Sequence, residues 1–147
     1  MRICLTSSAG GHLNQLLKIL PIAGKDVFFM TSGKHMEKTL KGYRVYYIED
    51  PVRRPLVFLT NSIKSLSILL KERPDVVITT GAGMVIPTCF IAKIFGAKII
   101  FIETLSRIES PSRTGKIIYP IADLFIVQWK RLLKFYGSKA VYGTPLI

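Results

Sequence analysis

The spacing of apolar residues alternates between two periods along the chain. Short runs rich in β-branched and aromatic residues recur, and the first, Ile3 to Thr6, leads through small residues into leucines three or four positions apart. This pattern predicts a strand, a glycine turn and a helix. The other predicted strands are Val27 to Met30, Val45 to Ile48, Val76 to Thr79, Lys98 to Ile102 and Leu124 to Val127. Strands that alternate with helices predict one α/β domain over residues 1–147, a doubly wound parallel sheet of the Rossmann-like kind.

One predicted helix is more apolar than packing against a sheet requires. It is entered through Arg53-Arg54-Pro55 and carries leucine or isoleucine at steps of three and four as far as Leu70. Its other face is also apolar, for example at Val57 and Phe58. Such a helix is either buried on two sides or in contact with lipid, and the composition alone favours neither reading.

Composition excludes several classes of protein. Of 147 residues, 49% are hydrophobic, which excludes intrinsic disorder, and two cysteines, Cys4 and Cys89, exclude a disulfide-stapled miniprotein. We expect both thiols to be reduced and buried. The net charge is +12, and a chain that is both basic and apolar is more typical of an anionic membrane surface than of nucleic-acid binding, for which this charge is too evenly spread.

Charged residues also interrupt the most apolar stretches. Lys64, Lys93 and Glu103 break every run that approaches the length of a spanning helix. No export signal is recognisable at the N-terminus. We therefore expect a cytoplasmic protein that does not cross a membrane.

Two predicted strand-to-helix loops are rich in glycine. Gly10, Gly11 and His12 follow the first strand, and Gly81-Ala82-Gly83 follows the fourth. Ligands gather at the carboxyl ends of parallel strands, where small residues let a substrate approach backbone amides. Tight turn geometry is the better explanation of either loop when it is taken alone, whereas two such loops together favour a site.

Familiar nucleotide sites are absent from these loops. No acidic residue ends the second strand, as a dinucleotide site requires, and none of the Gly-Lys pairs belongs to a P-loop. Nucleotide hydrolysis is therefore not expected. Two histidines, of which His35 falls in a predicted surface turn, and scattered cysteines supply no ligand set, so we assign no metal and no cofactor.

Two residues are candidates for proton transfer. His12 lies at the mouth of the first glycine loop, where an imidazole can accept a proton from a sugar hydroxyl. Glu103 ends an apolar strand at the same edge and has the same capability. The alternatives are a local hydrogen bond for His12 and an ion pair with Arg107 for Glu103.

A polar, basic loop is predicted over residues 106–116, after this apolar strand. Its Arg107, Arg113 and Lys116 are candidates for phosphate contacts, although a solvated loop has the same composition. The strand that follows leads to Trp129, which fits core packing as well as a ligand platform.

Five motifs together resemble one family. They are Ser-Ala-Gly-Gly-His at 8–12, Gly-Ala-Gly at 81–83, Glu-x-x-x-Arg at 103–107, Ser-x-x-Gly-Lys at 112–116 and Ala-Asp-Leu-Phe-Ile-Val-Gln-Trp at 122–129. The chain resembles, over essentially its whole length, the oligosaccharide biosynthesis family of the dolichol pathway's membrane-anchor subunit and its bacterial polysaccharide relatives. More distantly it is similar to the N-terminal half of MurG, the transferase of peptidoglycan lipid synthesis.

The resemblance implies a GT-B glycosyltransferase split between two polypeptides. This chain would be the acceptor-side half, and a partner chain would hold the UDP-sugar, with N-acetylglucosamine as the expected sugar and a lipid-linked pyrophosphate as the acceptor. His12 or Glu103 would then be the general base in the cleft between the halves. A non-catalytic anchor that recruits and enhances the transferase is the alternative that the resemblance leaves open.

One departure from the eukaryotic pattern concerns the membrane. Those anchors carry an N-terminal spanning helix, whereas this chain begins directly with its first strand. We therefore expect peripheral attachment at the cytoplasmic face through Arg53, Arg54, Phe58 and Leu59, with the basic residues meeting lipid phosphates.

Overall fold

The computed structural model describes residues 1–33, 37–51 and 54–146 and arranges them around one seven-stranded parallel sheet. The strands are β1 (Ile3–Ser7), β2 (Val27–Thr31), β3 (Arg44–Tyr47), β4 (Val76–Thr79), β5 (Lys98–Ile102), β6 (Leu124–Val127) and β7 (Ala140–Tyr142). The three predicted strands that became β4, β5 and β6 have the predicted bounds, while β3 begins and ends one residue earlier than predicted. Strand β7 was not predicted, since three residues at a sheet edge carry no periodic signal.

The order of the strands creates a break in the direction of winding. From edge to edge the order is β3-β2-β1-β4-β5-β6-β7. The chain therefore moves outward in one direction from β1 and in the other direction from β4, and these two strands are neighbours. In open parallel sheets ligands bind at such a switch point, beyond the carboxyl ends of the strands. This arrangement confirms the doubly wound prediction.

Helices cover the two faces of the sheet unequally. Helix α1 (Gly11–Ile19) covers one face with Leu13, Leu16 and Ile19. The helices α2 (Pro55–Glu72), α3 (Val85–Ile94) and α4 (Arg113–Ile118) contribute to the core on the other face, which also contains both cysteines. Short 3-10 helices follow at Leu20–Ile22 and Lys130–Phe135. The cysteines are free and buried, as predicted, and burial raises the pKa of Cys89 to about 12.

Helix α4 corrects the prediction of a loop over residues 106–116. Ser112 caps this helix, since its Oγ accepts a hydrogen bond of 2.8 Å from the backbone N–H of Gly115. Arg113 and Lys116 consequently lie on a helix rather than in the loop. The capping signal, a serine three residues before the bonded N–H, was present in the sequence.

Helix α2 is oriented opposite to the usual arrangement of an amphipathic helix. Its buried residues include Asn61 and Ser65, and the Ser65 hydroxyl lies 2.9 Å from that of Thr88 on α3. The periodic apolar residues of α2 are exposed instead, with Leu56 77% and Ile63 62% accessible. The reading of α2 as an ordinary core helix is therefore wrong. Among the described residues, no helix has both the length and the apolar character needed to cross a bilayer.

Candidate functional site

A cleft opens at the switch point, beyond the carboxyl ends of β1, β4 and β5. Its volume is about 260 Å³, and a shallower depression of about 350 Å³ adjoins it at the start of α1. Both are lined by His12, Thr104 and Ser106. The remaining residues of the main cleft are Thr80, Gly81, Ala82, Arg107, Ser112, Arg113 and Thr114. The site therefore combines one imidazole, two guanidinium groups and several hydroxyls.

His12 spans the switch point. It lies in the first turn of α1, and its Nδ1 is 2.8 Å from the carbonyl oxygen of Thr80, which follows β4. A carbonyl oxygen can only accept, so Nδ1 carries the hydrogen in the neutral ring and Nε2 is left with a free lone pair. The Thr80 hydroxyl in turn donates to the carbonyl oxygen of His12 at 2.8 Å. These two bonds fix both the tautomer and the position of the imidazole.

The glycine loops supply backbone conformations that other residues adopt poorly. Gly10 has φ of 87° and Gly81 has φ of 103°. A side chain at Gly81 would also meet the His12 ring, whose Cε1 lies 3.8 Å from the Cβ position. Gly11 borders the adjoining depression, whereas Gly83 faces Pro51 instead of the cleft. Three of the four predicted glycines thus serve the cleft or the turn that leads into it.

Glu103 follows β5 and is fully buried. Its carboxylate accepts hydrogen bonds from the backbone N–H groups of Thr104 and Ser112, from the Ser112 hydroxyl and from the Tyr136 hydroxyl. Within the part of the chain that the structure describes, no lysine or arginine nitrogen pairs with it, so the alternative of an ion pair with Arg107 is not observed. Burial and the nearby carboxylate raise the pKa of Tyr136 well above its ordinary value.

The basic candidates separate into two groups. Arg107 and Arg113 both line the cleft, and neither forms an ion pair within the described ranges. Lys116 is exposed on α4 and does not line the cleft. Arg53 and His35 lie outside the described residues. Among the described residues, no cluster of histidine, cysteine and carboxylate side chains is suited to a metal ion.

A second hydrogen-bond network supports the floor of the cleft. The Gln128 amide, which is almost fully buried, donates to Gln15 Oε1 at 2.7 Å and to the carbonyl oxygen of Glu103 at 2.8 Å. The Trp129 indole N–H donates to the carbonyl oxygen of Leu105 at 2.7 Å. Trp129 therefore holds the loop after β5. The Val-Gln-Trp motif was visible in the sequence, whereas Gln15 was not predicted, because only a tertiary contact reveals its role.

The sequence has relatives among known proteins. The model of the family "Oligosaccharide biosynthesis protein Alg14 like" matches residues 43–145. The UDP-N-acetylglucosamine transferase subunit ALG14 of Candida albicans is 40% identical over 81 residues, which cover 51% of this chain and 37% of that protein. The human subunit of the same name is 34% identical over 84 residues, covering 53% of this chain and 38% of that protein. These matches span less than half the length of either relative.

The fold has solved counterparts. The crystal structure of Acinetobacter baumannii MurG superposes with a TM-score of 0.79 at 18% sequence identity, over 98% of this chain and 46% of that one. This likeness establishes a Rossmann-like fold of the GT-B kind, equivalent in extent to somewhat less than half of MurG. The resemblance drawn from the motifs is confirmed. Because the family model spans well over half of the sequence, the chain belongs to the Alg14-like family of oligosaccharide biosynthesis proteins.

Proposed function

We propose that this chain is the acceptor-side subunit of a two-chain transferase that moves N-acetylglucosamine from a UDP-sugar to a lipid-linked pyrophosphate acceptor. The observation that carries the proposal is His12, whose ring is fixed by the Thr80 carbonyl in a cleft that also contains Arg107 and Arg113. The relatives are named as transferase subunits, which supports the class of reaction and the need for a second chain. The partner would bind the UDP-sugar.

His12 has the geometry that the chemical step requires. The acceptor hydroxyl oxygen forms a bond to the anomeric carbon of the donor sugar, and the bond from that carbon to the diphosphate oxygen breaks. UDP leaves with the electron pair, and the hydroxyl proton passes to Nε2 of His12, which has no hydrogen-bond partner among the described residues. Glu103, the other candidate, has its oxygens occupied by four donors, so the geometry favours His12 as the base.

The two arginines account for an acceptor that carries phosphate. Arg107 and Arg113 both line the cleft and are both exposed, and guanidinium groups bind phosphate oxygens in bidentate fashion. Backbone amides at the start of α1, which no side chain caps, add partial positive charge beside Gly10 and Gly11. Lys116 is not among the residues that line the cleft, so we assign it no part in this role.

The exposed apolar surface supports peripheral attachment to a membrane. On α2 the surface comprises Leu59, 57% exposed, together with Leu56, Ile63, Leu66 and Leu70. Phe58 is 41% exposed but lies on the side of the helix that carries the buried Ser65. Phe95, which follows α3, lines a depression together with Leu70, and Phe90 and Ile94 are exposed on α3. Arg54, Lys64 and Lys71 are exposed on the same helix or at its start, where they can meet lipid phosphates. Free, buried cysteines fit the reducing environment of the cytoplasmic face.

Purification of the tagged chain from its native membranes in mild detergent tests the proposal. We expect a stoichiometric second chain that binds a UDP-sugar, and we expect the pair to transfer radiolabelled N-acetylglucosamine from UDP-N-acetylglucosamine to a polyprenyl-pyrophosphate sugar. Recovery of the chain alone, or of a complex that transfers no sugar from any UDP donor to a lipid-linked acceptor, would contradict it.

A non-catalytic anchor is the second candidate, because the exposed apolar stripe of α2 suffices for that role. The two functions make the same prediction for membrane binding and different predictions for His12.

For either function, L59E/I63E should abolish flotation with vesicles of phosphatidylglycerol and phosphatidylcholine, since charge at two exposed apolar positions opposes insertion into the acyl region. The matched control is I22E, because Ile22 is 85% exposed outside this surface. Equal flotation of L59E/I63E and I22E would exclude α2 as the attachment site.

A further inference from the structure

Glu103 occupies a closed site made entirely of hydrogen-bond donors. Its Oε1 accepts from the Thr104 N–H at 3.0 Å, and its Oε2 accepts from the Ser112 N–H at 3.0 Å, the Ser112 hydroxyl at 3.0 Å and the Tyr136 hydroxyl at 2.5 Å. The high pKa of Tyr136 keeps that hydroxyl protonated and therefore able to donate. A carboxylate is the side chain that this arrangement requires, because it accepts at both oxygens and donates at neither.

No space remains beside this carboxylate for a substrate. A Cβ added at Gly115 would lie 2.6 Å from Glu103 Oε2 and 2.5 Å from the Tyr136 hydroxyl oxygen. The backbone of α4 therefore packs directly against the pair, and Glu103 is absent from the residues that line the cleft. A general base must come within hydrogen-bond reach of the proton that it removes. Glu103 does not meet this condition.

Three of the four donors around Glu103 belong to the two ends of one loop, and the fourth is the Tyr136 hydroxyl. Thr104 begins the segment that turns at Arg107, and Ser112 ends it immediately before Arg113 and α4. Ser112 uses its hydroxyl twice, donating to Glu103 and accepting from Gly115 as the cap of α4. A single buried carboxylate thus joins both ends of the 104–112 loop to the carboxyl end of β5. Each end is next to, or three residues from, an arginine of the cleft.

We propose that Glu103 is a positioning residue, which fixes Arg107 and Arg113 in the cleft through Thr104, Ser112 and Tyr136 and takes no proton from the acceptor. The inference deepens the proposed function and rests on it for the role of the two arginines, which is to bind an anionic acceptor. The loop closure itself depends only on the contacts of this chain. Loss of the carboxylate should therefore weaken acceptor binding more than it slows the chemical step.

E103Q is the test variant, and E72Q is its matched control. Glu72 is also a buried carboxylate that accepts from a tyrosine hydroxyl, that of Tyr46, and it lies at the end of α2, away from the cleft. Glutamine at position 103 would place its amide N–H groups against the hydrogen-bond donors that now face the carboxylate. Because two donors cannot bond to each other, the 104–112 loop should open. We expect trypsin to cleave the folded variant after Arg107 about tenfold faster than the wild type, and E72Q to be cleaved there at the wild-type rate.

Kinetics of the two-chain complex give the second readout. For E103Q we expect KM for the lipid-linked acceptor to rise about tenfold or more with a much smaller change in kcat, since the lost contacts act on binding. A fall in kcat of about 100-fold with unchanged KM would instead assign Glu103 as the base. Wild-type cleavage by trypsin would also overturn the proposal.

A second variant covers the case in which E103Q does not fold. Y136F removes one of the four donors and leaves the carboxylate in place, so the same two effects should appear at reduced size. Wild-type proteolysis and wild-type KM in Y136F would contradict the proposal. The proteolysis needs neither partner nor substrate. If the wild-type complex transfers no sugar while the variants still open the loop, the proposed function fails and the positioning of the loop stands.

Discussion

Two buried carboxylates lie at opposite ends of the strands of the sheet and have different partners. Glu72 lies at the amino ends of the strands, called the amino edge, and Glu103 lies at their carboxyl ends, called the carboxyl edge. Each accepts a hydrogen bond from a tyrosine hydroxyl, Tyr46 in the first case and Tyr136 in the second. Glu72 also pairs with Arg44 at 2.8 Å and lies 3.6 Å from Arg2. Glu103 has neutral donors alone among the described residues.

The difference lies in where the arginines are used. At the amino edge Arg2 and Arg44 neutralise Glu72 and Asp26, which joins β1, β3 and α2. At the carboxyl edge Arg107 and Arg113 line an open cleft while the nearby carboxylate is satisfied by neutral groups. In the first arrangement the arginines pair with carboxylates of the fold itself. The second leaves its cations available to an anionic ligand, as the proposed function requires.

Among the variants that compare the two edges, replacement of their arginines by glutamine should have the largest effects. R107Q/R113Q should raise KM for the lipid-linked acceptor about 10- to 100-fold, since each lost charge-assisted contact is worth roughly 1.5–3 kcal/mol and the two overlap. Its free energy of unfolding should stay close to that of the wild type. R2Q/R44Q should show the reverse, a loss of about 2–4 kcal/mol of stability because Glu72 is left buried without a cation, and an unchanged KM. Acceptor titrations and urea unfolding of both variants measure these quantities, and a KM increase in R2Q/R44Q of equal size would remove the contrast.

Removal of the tyrosine hydroxyls should give smaller and unequal effects. Y136F should lower stability by about 1.5–3 kcal/mol, because a buried charged acceptor loses a donor, and should lower kcat/KM several-fold. Y46F should cost less, about 1 kcal/mol, since Glu72 keeps its arginines and water can reach the more exposed Tyr46 site. Urea unfolding together with the transfer assay separates the two cases. Loss of kcat/KM in Y46F would show that the amino edge also serves the reaction.

Replacement of Asp123 should give the smallest change in stability, and its pH dependence identifies the cause. Burial acts to raise the pKa of this carboxyl, but Lys93, the Ile99 N–H and Lys98 outweigh burial and lower the pKa to about 2. A lowered pKa stabilises the fold above the unfolded value, near 4, and this contribution is lost as pH falls toward 2. D123N should therefore be less stable by about 1 kcal/mol at pH 7, a value reduced by solvent screening at this one-quarter-exposed site.

The pH dependence checks this assignment. The stability difference between D123N and the wild type should be constant from pH 7 to pH 5 and should shrink below pH 4. E109Q is the control, because the Glu109–Arg131 pair is largely exposed on both sides and should contribute no measurable stability. A difference for D123N that persists unchanged at pH 3 would rule out the ion pairs as its cause.

The secondary structure at the two edges could be predicted from the sequence, and the tertiary contacts that distinguish the edges could not. Strands β4, β5 and β6 follow from runs of β-branched residues, and the position of His12 and Gly81 at one edge follows from the parallel topology. The contacts that decide function join residues far apart in the chain, such as His12 with Thr80 and Glu103 with Tyr136. No periodicity encodes them. From the sequence alone, a glutamate that ends a strand, such as Glu103, therefore fits a general base and a buried residue that holds a loop equally well.

Helix α2 shows the same limit. Its apolar period was read correctly, yet the period alone does not tell which side faces the core. The structure buries the polar Ser65 against Thr88 of α3, whose hydroxyl is its hydrogen-bond partner, and buries Asn61, whose amide donates to the carbonyl oxygen of Glu49. The packing of α2 against α3 decides that the leucines face outward, and the sequence pattern does not show this packing.

The central claim is that the carboxyl edge carries the catalytic base, and the rate of sugar transfer by H12A in the purified two-chain complex tests it most directly. With saturating acceptor and UDP-N-acetylglucosamine, kcat should fall about 10²- to 10⁴-fold while the complex still assembles and floats with vesicles. N14A, an exposed position on the same helix, should retain the wild-type rate. An H12A complex that transfers sugar within about twofold of the wild-type rate would contradict the account, because the base would then belong to the partner chain and this chain would be an anchor.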